Sequence, residues 1–160
     1  VTVRPIREIG DPVLRTSCDP IRAFDKHLAA VVRDLEETVD NPGRAGVAAN
    51  QIGVGLRVFS YNVDGVIGHL VNPVITERSE EVQDGDEGCL SIPNLYAPTV
   101  RAMHCVAEGF DVHGEPLRIE GSGLLARCLQ HEVDHLDGKL FIDRLTGETR
   151  KQVLRALRTR

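Results

Sequence analysis

Gln130-His131-Glu132-Val133-Asp134-His135 decides how this chain folds. It reads H-E-x-x-H, with Leu124, Leu125, Cys128 and Leu129 before it and Leu136 after it. Side chains four apart on a helix lie on one face, one turn above the other. His131 and His135 can therefore aim ring nitrogens at one point, as two vertices of a tetrahedral metal site do. Glu132 stands beside them to handle protons. A core helix that merely carries two histidines is the bland alternative, and a glutamate between them at this spacing argues against it. Ser122 is expected to cap the helix and Gly138 to end it with a left-handed residue. Leu124, Cys128, His131 and His135 fall at i, i+4, i+7 and i+11, so metal face and apolar face form one buried stripe opening on an internal cleft.

Outward from this helix, Asp25 is expected to cap a helix that runs to Val39 on an apolar face of Leu28, Val31, Val32, Leu35 and Val39. Asn41-Pro42-Gly43 ends it. Leu56 to Tyr61 has strand composition, Asp64-Gly65 is a hairpin signal, and Val66 to Val71 returns. Asn72-Pro73 is expected to break that strand, with another from Val74 to Val82. The acidic run Glu80 to Glu87 reads as a solvated loop. Val100 to Val112 is strand-like, His113-Gly114 turns it, and Leu117 to Glu120 returns. The last stretch, 147–160, is a C-terminal helix or tail carrying Arg150, Lys151, Arg155, Arg158 and Arg160. With no repeat or composition break, residues 1–160 read as one domain.

The 160 residues are 41% hydrophobic and 27% charged, within the globular range. The net charge of -5 argues against nucleic acid, and DNA in particular, as the main ligand. No apolar run is long enough to cross a bilayer and no signal peptide is visible, so the expected location is cytoplasmic and no membrane partner is expected. The four widely spaced cysteines, Cys18, Cys89, Cys105 and Cys128, are expected to be reduced. Cys89, in Glu87-Gly88-Cys89-Leu90-Ser91, suits a buried structural thiol as well as a ligand. The two-histidine helix still needs a third ligand, and a thiolate is an accepted one.

Three motifs stand in order: Gly46-Val47-Ala48-Ala49-Asn50-Gln51, Glu87-Gly88-Cys89-Leu90-Ser91, and His131-Glu132-Val133-Asp134-His135. Together they resemble the signature motifs of the peptide deformylases, which remove the formyl group from the initiator methionine of new proteins. Asp11 to Arg15 and Asn72-Pro73 fit the same pattern. The resemblance implies an α+β fold, with antiparallel sheets around a central metal-binding helix in a single domain. It implies Cys89, His131 and His135 as metal ligands and Glu132 as general acid/base. Gln51 and the Leu90 amide would bind the oxyanion, and Gly46 would hydrogen-bond the substrate backbone. Ala45, Leu124 and Cys128 would line the methionine pocket, with the stem of Arg127 over its rim. The implied cofactor is one divalent metal, physiologically Fe(II), with Zn(II), Ni(II) or Co(II) able to substitute. The implied partners are N-formylmethionyl nascent polypeptides, with ribosome contact through the basic C-terminus.

The chain departs from the family pattern in two places. Arg44-Ala45-Gly46 replaces the usual Gly-apolar-Gly opening, so a loop that needs a left-handed residue there must differ locally. Tyr96 stands where some members carry arginine. Two other functions fit parts of the pattern. An H-E-x-x-H zinc peptidase needs a downstream third ligand. A structural metal site without activity needs a fourth protein ligand, which Cys105 or Cys128 could supply.

Overall fold

The computed structural model describes residues 3–160. A short 3₁₀ turn, Pro12–Arg15, precedes helix α1, Lys26–Val39. Strand β1, Gly46–Ala48, and a 3₁₀ turn, Ala49–Ile52, lead to β2, Val58–Val63, and β3, Val66–Arg78. Next come β4, Val82–Cys89, β5, Ile92–Ala102, β6, His104–Phe110, and β7, Pro116–Ser122. Helix α2, Leu124–Leu136, a 3₁₀ turn, Phe141–Arg144, and α3, Gly147–Arg158, complete the chain.

All the strand pairs of the two sheets are antiparallel. One sheet has five strands in the order β1-β2-β3-β6-β7, and β4-β5 form a separate two-stranded ribbon. Helix α2 lies between them. Its residues Ala126, Leu129, Val133 and Leu136 pack on Ala48, Phe59, Leu70 and Ala107 of the large sheet. Leu129 has no exposed surface, and truncating such a side chain to alanine costs about 2–5 kcal/mol. Helix α1 covers a second cluster with Val47, Ile52, Val58 and Val71. Helix α3 sets Val153 and Leu157 against Ile92 and Leu95 of β5 and Phe141 and Ile142 of the last 3₁₀ turn. This α+β arrangement of antiparallel sheets around a central helix is the expected one.

Local signals explain several boundaries. Asp25 caps α1, its Oδ1 accepting from Leu28 N at 3.0 Å. Asp64 and Gly65 both take positive φ in the β2-β3 turn, as a two-residue hairpin requires. Gly138 adopts φ 75 just after α2.

Three expectations need correction. Ser122 does not cap α2: it ends β7, and its Oγ lies 2.6 Å from His104 Nδ1. The chain turns into the helix at Gly123, with φ 57, and the Gly123 carbonyl accepts from Gln83 Nε2. Asn72-Pro73 does not break β3. It forms an irregularity in one continuous strand, where Asn72 takes φ 49 and its side chain bonds both Ile21 N and Ile21 O. The acidic run is not all loop, because residues 82–89 form β4, with Glu87 turned inward and buried.

Candidate active site

The site forms where α2 faces the end of β4. Helical periodicity puts His131 and His135 on one side of α2, and their Nε2 atoms lie 3.1 Å apart. The β4-β5 ribbon has an irregularity at Gly88/Cys89. It brings Cys89 Sγ to 3.3 Å from His135 Nε2. One donor atom from each of the three residues lies within 4.8 Å of the others. Donors around one tetrahedral ion stand about 3.3–3.6 Å apart, given bonds of about 2.0–2.3 Å. The donor set therefore fits a small divalent cation. Glu87 Oε2 accepts from His131 Nδ1 at 2.6 Å, an outer hydrogen bond that leaves Nε2 free to ligate.

The electrostatics agree with a site for positive charge. Burial alone would lower the His131 pKa, but the hydrogen bonds it donates to Cys89 and Glu87 hold it well above the usual imidazole value. Burial, then the charge on His131, push His135 well below it. Burial opposes ionisation of Glu87, yet bonds from His131 and Arg101 hold its carboxyl far below the usual carboxylate range. Burial pushes the Glu132 carboxyl up to about 7, against the opposing pull of His131. Glu132 Oε2 is 4.0 Å from His131 Nε2, and its Oε1 has no hydrogen-bond partner among the described residues.

These groups form one wall of a cleft of about 420 Å³. Gln51, Leu90, Gly46, Ala45, Leu124 and Cys128 all line it with Cys89, His131 and Glu132, so nine of the ten candidate residues face one space. His135, fully buried, stands behind them. Gln51 Oε1 accepts from Ala48 N at 2.9 Å, which turns Nε2 toward Ser91 Oγ at 3.1 Å and Cys89 Sγ at 3.6 Å. Leu124 is 55% exposed, apolar surface available to a ligand. Cys128 Sγ donates to Ala45 O at 3.3 Å, and Cys105 Sγ donates to Ala126 O at 3.7 Å. Neither joins the metal cluster, so the four-ligand alternative finds no support from them.

The altered first motif is accommodated without strain. Gly43 takes the positive φ, at 81, and Arg44 does not. The Arg44 side chain turns back to donate to Thr38 O at the end of α1. Tyr96 is 71% exposed at the cleft wall. Arg127 also lines the cleft, but its head turns inward, with Nη1 buried on Glu87 Oε1 at 2.7 Å and Thr99 O at 2.9 Å. Sequence reasoning assigned no role to Glu87, Arg101 or Asp134. Glu87 sat in a quoted motif, and a carboxylate two residues before a ligand on a strand was the available signal.

The polypeptide deformylase family profile matches residues 3–151. The chain belongs to that family. A peptide deformylase of Acidothermus cellulolyticus is 60% identical over 158 residues, covering 99% of this chain and 87% of its own. The crystal structure of peptide deformylase from Thermus thermophilus superposes with a TM-score of 0.91 at 40% identity, covering 98% of this chain and 94% of its own. That of a peptide deformylase from Legionella pneumophila gives 0.90 at 37% identity, covering 99% and 95%. Family membership makes the chain a metal-dependent hydrolase that removes the formyl group from nascent polypeptides.

Proposed function

We propose that this chain hydrolyses the formamide of N-formylmethionyl peptides at the Cys89-His131-His135 cluster, releasing formate and a free amino terminus. One observation carries the assignment of roles: the thiol of β4 and two imidazoles of α2 converge beside the buried carboxyl of Glu132 at one cleft. Cys89, His131 and His135 hold one divalent cation. When bound, it polarises the formyl oxygen and lowers the pKa of water at the site toward neutrality. Glu132 takes a proton from the attacking water and returns it to the amine nitrogen. Burial favours the protonated form of this carboxyl, which suits its taking up the water proton. Gln51 meets the developing oxyanion with Nε2, its amide held in that sense by Ala48 N, and the Leu90 amide is the second donor. Losing one such donor costs about 3 kcal/mol in the barrier. The backbone of Gly46 binds the peptide, and Ala45, Leu124 and Cys128 receive the methionine side chain.

A mixed thiolate and imidazole set is soft enough for Fe(II) as well as Zn(II). Fe(II) is the proposed physiological metal, with Zn(II), Ni(II) and Co(II) as substitutes. An Fe(II) form that keeps full activity through long aerobic incubation contradicts this choice. The deciding experiment is hydrolysis of formyl-Met-Ala-Ser by metal-defined protein. Wild type should release formate, and Glu132→Ala should lose activity while keeping its metal. An unformylated peptide cleaved as fast would favour the peptidase instead.

The proposed setting is the cytoplasm, at the ribosome. No helix among the described residues is long and apolar enough to cross a membrane. Lys151, Arg155 and Arg158 lie exposed on α3 and suit phosphate contacts. Reversing these three charges should abolish co-sedimentation with ribosomes at low salt, and unchanged co-sedimentation rejects the contact.

A further inference from the structure

The cation site is built from two elements that share no backbone hydrogen bonds: α2 carries the imidazoles, and the β4-β5 ribbon carries the thiol. Gln130 of α2 pairs with the Ala102 backbone of β5 in both directions, at 3.1 Å each, and a buried ring of charges adds to that link. Glu87 of β4 bonds His131 through Oε2 at 2.6 Å. Arg101 of β5 grips both Glu87 oxygens, Nε to Oε1 at 3.0 Å and Nη2 to Oε2 at 2.7 Å. The remaining Arg101 nitrogen, Nη1, donates to Asp134 Oδ2 at 2.8 Å, which returns the ring to α2 one turn beyond His131. Arg127, one turn before His131, closes on Glu87 from the other side.

Arg127, His131 and Asp134 thus stand at i, i+4 and i+7 on one face of α2, and all three meet the same Glu87-Arg101 pair. Any rotation or slip of α2 against the ribbon would break several charge-assisted bonds at once, in a region where Glu87, Arg101 and Asp134 are all buried. Arg144, from the 3₁₀ turn after α2, caps the ring from the solvent side, with Nε and Nη2 on the two Asp134 oxygens at 3.0 and 2.7 Å. Asp134 has no place in the cleft wall.

We propose that Asp134 is a positioning residue for the metal site, acting through Arg101 and Glu87 to hold His131 in register with Cys89, and that Arg144 locks it in place. The proposal rests on the metal-binding role given above to Cys89, His131 and His135.

The test measures Zn(II) affinity of metal-stripped protein by chelator competition, for wild type, Asp134→Asn and Arg144→Gln, at a temperature where each is folded. Co(II) spectra of the same proteins report the thiolate-to-metal band. Partners in the outer shell of a metal site typically account for about 10–100-fold in affinity. Asp134→Asn is expected to bind Zn(II) at least tenfold more weakly and to weaken or shift the Co(II) band, and Arg144→Gln at least threefold more weakly. A surface control, Arg118→Gln, which breaks the exposed pairs with Glu77 and Glu120, should leave affinity unchanged. If Asp134→Asn does not fold, Arg144→Gln alone decides. Affinity within threefold of wild type in the folded variants, with any loss confined to melting temperature, overturns the positioning role. A wild type that binds no Zn(II) overturns instead the metal-site reading beneath it.

Discussion

Gly46→Ala asks for one methyl group and should cost most of the activity. Gly46 lies in β1 and outside the positive-φ region, so its backbone accepts alanine. The space does not. A Cβ built there would stand 2.6 Å from Glu132 Oε2, 2.9 Å from Glu132 Cδ and 2.9 Å from Cys128 Sγ. An unstrained contact needs about 3.5 Å, so the carboxylate must retreat by about 0.9 Å. Glu132 is 3% exposed with Oε1 enclosed, and the open direction left to its carboxylate is the cleft itself, away from the position it now holds. A displacement of about 1 Å in a reacting group can cost about 100-fold, or about 2.7 kcal/mol of barrier. The added methyl meets none of the three donor atoms, so Zn(II) affinity should stay within threefold. The assay is kcat on formyl-Met-Ala-Ser beside Zn(II) competition on the same preparation. A kcat within threefold of wild type would refute the claim that Glu132 works from this position. A joint loss of metal and activity would place the damage in the ligand cluster instead.

Leu124→Arg should raise KM for formyl-Met peptides about tenfold or more at unchanged metal content, since it removes exposed apolar surface from the cleft. Equal kinetics would defeat the pocket assignment. Glu132→Gln should change the pH dependence of stability in metal-free protein. The folded carboxyl titrates near 7, above its ordinary 4.5, so the folded state favours the protonated form. The resulting penalty is absent below about pH 4, grows as pH rises from 4.5 to 7, and is complete above that. The variant should therefore melt higher than wild type at pH 8 and alike at pH 4, and an equal difference at both pH values contradicts the raised pKa.

Helix α2 and its two histidines were legible because their relation is local: four residues and a helical period bring the rings together. The Asp25 cap and the Asp64-Gly65 hairpin were legible for the same reason. Pairing Cys89 with that helix needed the resemblance, since 42 positions and strands β5, β6 and β7 separate Cys89 from His131. The acidic run misled because strand β4 alternates an inward Glu87 with outward Asp84 and Asp86, and composition does not tell a buried carboxylate from a solvated one. Glu87 is tolerated inside only because Arg101 and Arg127 reach it from elsewhere in the chain. Arg127 lines the cleft, but its head turns inward to Glu87, where a long cation on a cleft-facing helix is ordinarily read as snorkelling outward. Ser122 matched a capping residue, but β7 runs up to the helix and holds its side chain on the sheet's outer side.

The central claim is that one thiol and two imidazoles grip a single ion with a further position left for chemistry. X-ray absorption on the Zn(II)-loaded chain, with and without a small anionic ligand, tests it most directly. The account predicts one zinc per chain, one sulfur and two imidazole nitrogens in its first shell, and a further light donor that the added anion displaces. Two sulfurs, or a shell that the anion leaves untouched, would contradict it.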